Sequence, residues 1–406
     1  MDKVRRDRFP LEATGSTRHP LGMPATRFLR DYWQKRPLLI RNALPGFVSP
    51  LSPDDLAGLA CEEQSLARIV LLDARRDRWT LRTGPFAEAD FAKLPESHWT
   101  LLVQDVDKWD EDVAALLDRF DFLPDWRVDD VMVSYATDGG GVGPHLDQYD
   151  VFLLQGIGQR RWRICTDPRA PRDFRDGVDL KLLREFRPTH EWTLEPGDML
   201  YLPPGVPHEG AAIGECMTFS IGMRAPSSSE LLVAFAETVA AGLPESRRYA
   251  DPDLRPAREP GEIDDAALRR ARTALGQAGE MLDPQAVADF FGRFITSYRS
   301  ARAALPPRRK ISAESVATDL PRSVFERGPW SRFAWRRVPR GGAMLYVSGE
   351  QYACPPDWAR ALCGRGRVLD GASLARLPSR GAGVTLLAKL INEGHLSRRK
   401  ARTRIQ

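Results

Sequence analysis

The sequence predicts an α+β protein, with an antiparallel sandwich or jelly roll in its first half, a helical stretch after it and a last domain that mixes helices and strands. Three observations carry this. Between Asp130 and Met223 lie six strand-like runs, DVMVSYA, VFLLQG, RWRICT, EWTL, MLYL and MTFSIGM, punctuated by Gly and Pro. Their β-branched and aromatic content marks strands, and with no helix-length crossovers between them parallel βαβ units are excluded. After Pro226 the apolar period changes to 3.6, the repeat of an amphipathic helix. Finally, 406 residues exceed the roughly 100 to 200 that one core usually organises, so two or three domains are expected.

In chain order, residues 1–20 are expected as a flexible tail and 21–225 as the β-rich domain. The run from Thr26 to Arg41 (TRFLRDYWQKRPLLIR) reads as an amphipathic helix stopped at Pro37 and then a short strand, because a proline pushes its predecessor out of the helical region. Between Leu101 and Phe120 come a strand (LLVQDV) and a helix (DEDVAALLDRF). Residues 226–304 read as a helical region, in which SSSELLVAFAETVAAGL opens on capping serines and is apolar at Leu231, Leu232, Phe235, Val239 and Leu243. Beyond a Pro- and charge-rich stretch from Asp251 to Pro260 follow DAALRRARTALGQAGEML and PQAVADFFGRFITSYRS, helices whose wide apolar faces need a partner surface. The linker ALPPRRK leads into 305–406, with the strands FAWRRV and AMLYVS and the closing helix VTLLAKLINEGHL.

Bulk properties exclude several function classes. Hydrophobic residues make up 42% and charged residues 28%, which is enough apolar surface for a sizeable core and argues against disorder. With 59 basic against 55 acidic residues the net charge is +4, too even for a nucleic-acid coat. Any basic footprint is therefore local, as in PPRRK, RRVPR and SRRKARTR. Cys61, Cys165, Cys216, Cys354 and Cys363 are odd in number and never spaced C-x-x-C, which argues against a disulfide framework or zinc ribbon and for a cytoplasmic location. The basic opening MDKVRRDR is not followed by an apolar run, and no later stretch offers ~18 uninterrupted apolar residues, so neither export nor a membrane span is expected.

The chemistry concentrates in G-V-G-P-His145-Leu146-Asp147 and, 61 positions beyond Asp147, P-P-G-V-P-His208. On one strand, alternation turns His145 and Asp147 to the same face. His208 arrives after the turn EPGD and the strand MLYL, and a closed antiparallel barrel brings such distant strands together. Two imidazoles and a carboxylate on one side of an ion suit non-haem iron(II) and leave positions open for substrate and oxygen. H-x-D alone is a weak signal, since surface His-Asp pairs are common. The Gly-rich approach, the β context and the Pro/Gly turn ending in His together point to a metal. His19, His98, His190 and His395 have no such setting and are expected as solvated or capping residues.

Within Arg160-Arg161-Trp162-Arg163-Ile164, Arg160, Trp162 and Ile164 share the apolar face, which is expected inward. Arg160 then sits at the rim of the interior, where its planar fork can bind a carboxylate; the bland alternative is a solvated basic stripe. Asp130, Met132 and Ser134 likewise share a face. If it lines the barrel, Asp130 offers a negative charge to a cationic substrate and Ser134 a hydrogen bond to a co-substrate. Tyr149 is placed to stack on a guanidinium, and Ser220 lies on the polar side of MTFSIGM. For Asp130, Ser134, Tyr149 and Ser220 a purely structural role is equally compatible with the sequence.

The stretch GGGVGPHLDQYDVFLLQGIGQRRWRI, followed by LEPGDMLYLPPGVPHEG, closely resembles the JmjC-type ribosomal oxygenases, and the bacterial members above all. YWQKRPLLIRNALPGF resembles the start of that family, so the likeness is strong from Pro20 to Pro226. The remainder is similar in layout to the group's dimerisation helices and winged-helix domain. The resemblance implies a double-stranded β-helix (jelly-roll or cupin) core, then a helical dimerisation region and a winged-helix-like C-terminal domain, hence a homodimer. It implies hydroxylation of an arginine β-carbon in the sixteenth protein of the large ribosomal subunit, using iron(II), 2-oxoglutarate and O2 and releasing succinate and CO2. Carried over residue by residue, it maps His145, Asp147 and His208 to iron, Arg160 to 2-oxoglutarate, and Asp130, Met132, Tyr149 and Ser220 to the substrate arginine. In one departure, most of the wider JmjC class is expected to carry lysine where this chain has Arg160, which supplies the same charge. Three other readings remain open: the same chemistry on a histidine or lysine, a metal-binding cupin without oxygenase activity, or a binding module with weak ribosomal RNA attraction. Asp130 with Tyr149 favours a guanidinium over an imidazole.

Overall fold

The structure, a computed structural model, describes residues 9–246, 248–252, 254–255, 263–279, 283–298 and 302–400. Residues 1–8 of the expected tail, 256–260 of the Pro-rich stretch, the helix ends at 280–282 and 299–300, and 401–406 of the basic C-terminal segment lie outside these. The chain divides into two compact units, Met1–Ala225 and Pro226–Gln406.

The strands of the first unit are β1 (Glu12–Thr14), β2 (Leu38–Arg41), β3 (Ala67–Asp73), β4 (Arg78–Thr83), β5 (Trp99–Val103), β6 (Val128–Ala136), β7 (Val151–Ile164), β8 (His190–Leu194), β9 (Met199–Leu202) and β10 (His208–Met223). They hydrogen-bond in the order β1-β2-β9-β7-β10-β6-β5-β3-β4, with β8 also on β7. The long strands β7 and β10 run together through both halves of the barrel: Val151–Leu154 pairs with β9, Arg160–Ile164 with β8, and β10 follows β7 along both stretches. VFLLQG and RWRICT, expected as two strands, are thus one bent strand. Its bend is possible because Gly158 has φ +60° and no Cβ, which would stand 2.0 Å from the Glu215 carbonyl oxygen. Opposite it, the β10 register shifts between Ile213 and Met217.

Strand alternation sorts the side chains of this sheet into two layers. Ala67, Ile69, Leu101, Val103, Val131, Val133, Phe152, Leu154, Met217, Phe219 and Ile221 form one core with Phe28 of the helix Ala25–Asp31 and Leu56 of the helix Pro53–Cys61. Val151, Leu153, Trp162, Ile164, Leu194, Leu200 and Leu202 fill the barrel interior on the other side. A fully buried Val, Leu, Ile or Phe stabilises by about 1.5–3 kcal/mol, and a one-residue slip would exchange the two faces, so the register is firmly held. The alternate residues Arg68, Leu102, Asp130, Met132, Ser134, Thr218 and Ser220 consequently face the interior side.

Two expectations for this unit need correction, and one region went unread. The first helix ends at Asp31, not at Pro37. Gln34 takes φ +56° and donates its N–H to the Tyr201 hydroxyl at 2.8 Å, so a tertiary contact turns the chain before the proline is reached. The tail does not run to residue 20, since β1 pairs in parallel with β2. The hairpin β3–β4 and the helix Pro53–Cys61 were not foreseen, although Ser52 caps that helix in a capping box with Asp55.

The second unit opens with the helices Ser228–Gly242, capped by Ser227 and Glu230, and Asp265–Gly279. A third, Pro284–Ser297, is capped by Asp283. It rests on the sheet formed by β12 (Phe333–Arg337), β13 (Ala343–Val347) and β14 (Glu350–Cys354); Asp289 accepts from Arg336 Nη2 and from the Tyr346 hydroxyl, both at 2.7 Å. β11 (Ser323–Arg327), preceding these in the chain, lies between β15 (Val368–Asp370) and β16 (Leu396–Lys400). The closing helix spans Arg380–Asn392, starting before the predicted run, and packs Leu387 and Leu390 against Trp358 in a separate core. His395, expected as solvated, is buried and bonded to Ser331 Oγ at 3.0 Å. Among the described residues no helix is long and apolar enough to cross a membrane.

Candidate active site

His145 does not lie in a strand, which corrects the expectation that alternation aligns it with Asp147. It sits between β6 and β7 and forms an isolated bridge with His208, each backbone N–H bonding the other's carbonyl at 2.9 and 2.8 Å. Asp147 is held beside them through its own carbonyl, which accepts from Gly205 N at 2.7 Å. The tertiary pairing of the His145 loop with the start of β10 thus builds what a single strand was expected to build. One ligand atom from each of His145, Asp147 and His208 falls within 4.8 Å of the others. Asp147 Oδ2 is 4.0 Å from His145 Nε2 and 3.7 Å from His208 Nε2.

The donor chemistry fits a divalent ion. Each Nδ1 lies 2.9 Å from a backbone carbonyl, that of Gly143 for His145 and that of Val206 for His208. A carbonyl only accepts, so Nδ1 carries the proton and each Nε2 presents its lone pair to the shared point. Burial, and then the neighbouring His145, pushes the His208 imidazole down to about 4 against the opposing effect of Asp147. A neutral imidazole is the form a metal requires.

Arg160 is 4% exposed, on the inward face that the sequence assigned to it. Its Nη1 donates to Ser134 Oγ at 3.1 Å and Thr218 Oγ1 at 3.2 Å, while its Nε is buried with no acceptor. Burial lowers its pKa, and no carboxylate offsets this. A desolvated guanidinium with a free donor is the arrangement expected of a site whose counter-ion is a ligand, and a dicarboxylic acid fits it. Thr218, and Gln155, which accepts from Thr218 Oγ1 at 3.0 Å, were missed by sequence reasoning. Thr218 was findable, two residues before Ser220 on the polar side of one strand.

Asp130, Met132 and Ser134 pair across β6 and β10 with Gly222, Ser220 and Thr218, so all the proposed pocket residues of these strands line one face. The Asp130 carboxyl is pushed up to about 7, chiefly by burial and then by Asp105 and Asp129, with Lys108 opposing. Its Oδ2 accepts from Asp105 N at 3.0 Å. Tyr149 packs against the interior apolar cluster, and its hydroxyl is pushed up by burial and by the charges of Asp147 and Asp130.

A jelly roll with two histidines and an aspartate around one point, and an uncompensated arginine in the interior, makes this a 2-oxoglutarate-dependent oxygenase of the JmjC type. Residues 115–231 match the JmjC domain and residues 277–397 the ROXA-like winged helix. Over 368 residues the chain is 35% identical to the ribosomal protein uL16 3-hydroxylase of Escherichia coli, spanning 91% of this chain and 96% of that one. The chain belongs to that family, the bacterial ribosomal oxygenases. The crystal structure of E. coli YcfD superposes with a TM-score of 0.79 at 34% identity, covering 93% of this chain and 99% of the other. A YcfD structure in complex with cobalt and 2-oxoglutarate superposes at 0.76, with the same identity and coverage.

Proposed function

We infer that the protein hydroxylates the β-carbon of an arginine in ribosomal protein uL16, with His145, Asp147 and His208 holding iron(II) and Arg160 the distal carboxylate of 2-oxoglutarate. The observation that carries the substrate class is Asp130, a half-buried carboxylate on the interior face, with the Tyr149 ring packed against the interior apolar cluster. A guanidinium satisfies that carboxylate with charge-assisted hydrogen bonds, and the Tyr149 ring offers it a face. Bound iron(II) would supply the redox chemistry, and 2-oxoglutarate and O2 would be consumed: one oxygen atom ends in the hydroxyl of the arginine and the other in succinate, with CO2 released.

The chain's own residues orient and exclude. Arg160, steadied by Ser134 and Thr218, fixes one end of the co-substrate. Met132 and Ser220 face each other across β6 and β10 and border the target side chain, while the interior apolar cluster keeps water out. Asp130 holds the arginine by its charged end, so that the carbon to be oxidised, several bonds away, reaches the metal.

The domain plan 1–20, 21–225, 226–304 and 305–406 goes with this reading, the helical stretch pairing two copies as a homodimer. Leu232 and Val233 in the first of these helices, and Leu268 and Leu275 in the second, are exposed apolar side chains that such pairing would cover. A cytoplasmic location follows from a ribosomal substrate and from five cysteines that are all free thiols. A weak ribosomal RNA contact rests on charge alone, at the exposed Arg308, Arg309 and Lys310.

The deciding experiment supplies iron(II), 2-oxoglutarate and then O2, and scores succinate together with a +16 Da shift on a uL16 segment. A shift on arginine that His208→Ala abolishes supports the reading. Succinate with the shift on histidine or lysine moves the substrate, and metal binding with neither signal leaves only an inert cupin.

A further inference from the structure

Beyond the groups assigned above, a second guanidinium reaches the interior side of the sheet. Arg68 on β3 pairs with Leu102 on β5, Leu102 with Ser134 on β6, and Ser134 with Thr218 on β10. Arg68 therefore stands in the same cross-strand row as the two hydroxyls that steady Arg160, on the same face. Its neighbours Ala67 and Ile69 point into the opposite core, which fixes its direction. Its Nε is buried without an acceptor, and no carboxylate or carbonyl of the described residues engages it.

A second unpaired donor lies on the same wall. Trp79 on β4 pairs with Leu72 on β3, two alternations from Arg68 and so on the same face. Its Nε1–H is also buried without an acceptor, and its ring lies over Gly143, where a Cβ would meet Trp79 Cζ2 at 3.0 Å. Gly143 is the residue whose carbonyl orients His145. The Trp79 ring, with its unused donor, therefore packs beside the metal-bearing loop.

Two unsatisfied donors buried on one wall are costly unless something accepts from them. An acidic side chain is a poor candidate, because Asp147 in the metal-binding set and Asp130 on the interior face of β6 already place two carboxylates at the site. Neutral acceptors fit better, and a polypeptide crossing the pocket presents a carbonyl every ~3.3–3.6 Å of extended chain. We propose that Arg68 and Trp79 hold main-chain carbonyl oxygens of the substrate polypeptide, forming a wall of the pocket that fixes which residue of the chain reaches the metal. This rests on the substrate class argued under Proposed function, a ribosomal-protein segment with its arginine at Asp130.

The test uses the whole protein with iron(II), a synthetic uL16 segment and separate titrations of segment and 2-oxoglutarate, comparing wild type with Arg68→Met, Arg68→Lys and Trp79→Phe. Arg68→Met is expected to raise KM for the segment about tenfold or more, the loss of a charge-assisted hydrogen bond, with KM for 2-oxoglutarate unmoved. Arg68→Lys should recover part of the loss, and Trp79→Phe should raise the segment KM by a smaller factor. An unchanged segment KM in Arg68→Met, with an active wild type, overturns the proposal alone. A raised KM for 2-oxoglutarate instead assigns Arg68 to the co-substrate and also overturns it. A wild type that leaves the segment unmodified overturns the substrate reading and this inference together.

Discussion

Replacing Arg160 by methionine should move two quantities in opposite directions. The guanidinium is 4% exposed, its Nε has no protein acceptor, and its Nη1 bonds only the hydroxyls of Ser134 and Thr218. Removing one partner of a buried charge pair costs about 3–5 kcal/mol, because the remaining charge is left desolvated. For 2-oxoglutarate this corresponds to a rise in Kd of roughly two to nearly four orders of magnitude. Without co-substrate the same guanidinium is a desolvated cation with no counter-ion, and burial depresses its pKa accordingly. An apolar side chain of similar length should then leave the fold equally stable, or more stable by up to about 4 kcal/mol, less whatever the two hydroxyls lose. Near 2–4 °C per kcal/mol for a unit of this size, a rise in Tm of several degrees is within reach. Succinate release gives KM, and thermal denaturation with and without 2-oxoglutarate gives both stability and ligand protection, which for wild type is about 2.7 kcal/mol at a hundredfold excess over Kd. A variant that keeps KM for 2-oxoglutarate within threefold would falsify the assignment. One that loses ligand affinity only because its Tm has collapsed would show that Arg160 is structural.

Asp130→Asn tests the substrate end of the pocket. Because the carboxyl is raised to about 7, wild-type kcat/KM for the segment should climb between pH 6 and 8 as the carboxylate forms, while the variant stays low and flat. For stability the sign is opposite: the contribution of a raised carboxyl is present below its unfolded value of about 4 and is lost as pH rises through about 7, so urea titrations should find the variant gaining on wild type at pH 8 relative to pH 5. His208→Ala should abolish tight binding of iron(II) or cobalt(II) by calorimetry, with succinate release falling at least a hundredfold; retained metal affinity would discard the three-residue site. Gly158→Ala should lower the Tm of the barrel by several degrees, since the residue needs φ +60° and its Cβ would meet the Glu215 carbonyl at 2.0 Å; an unchanged Tm would mean that the β7 bend is not held as described.

What the sequence determined by itself was local pattern and residue chemistry. Alternation along Arg160 to Ile164 separated inward from outward side chains, and along Asp130 to Ser134 it separated two faces without saying which lines the barrel, because side chains of a strand repeat every two residues. The paired motifs ending in His145-Leu146-Asp147 and His208 named the metal-binding candidates without any coordinates. Tertiary structure decided what depends on the meeting of distant segments. The bridge between His145 and His208, the supply of Thr218 and Gln155 to Arg160, the early end of the first helix and the addition of β3 and β4 to the sheet all arise from contacts between residues far apart in the chain. A one-dimensional period carries no record of such contacts. Arg68 and Trp79 show the difference most plainly: in sequence they are two unremarked side chains, and only strand register places their free donors on the wall that faces the site.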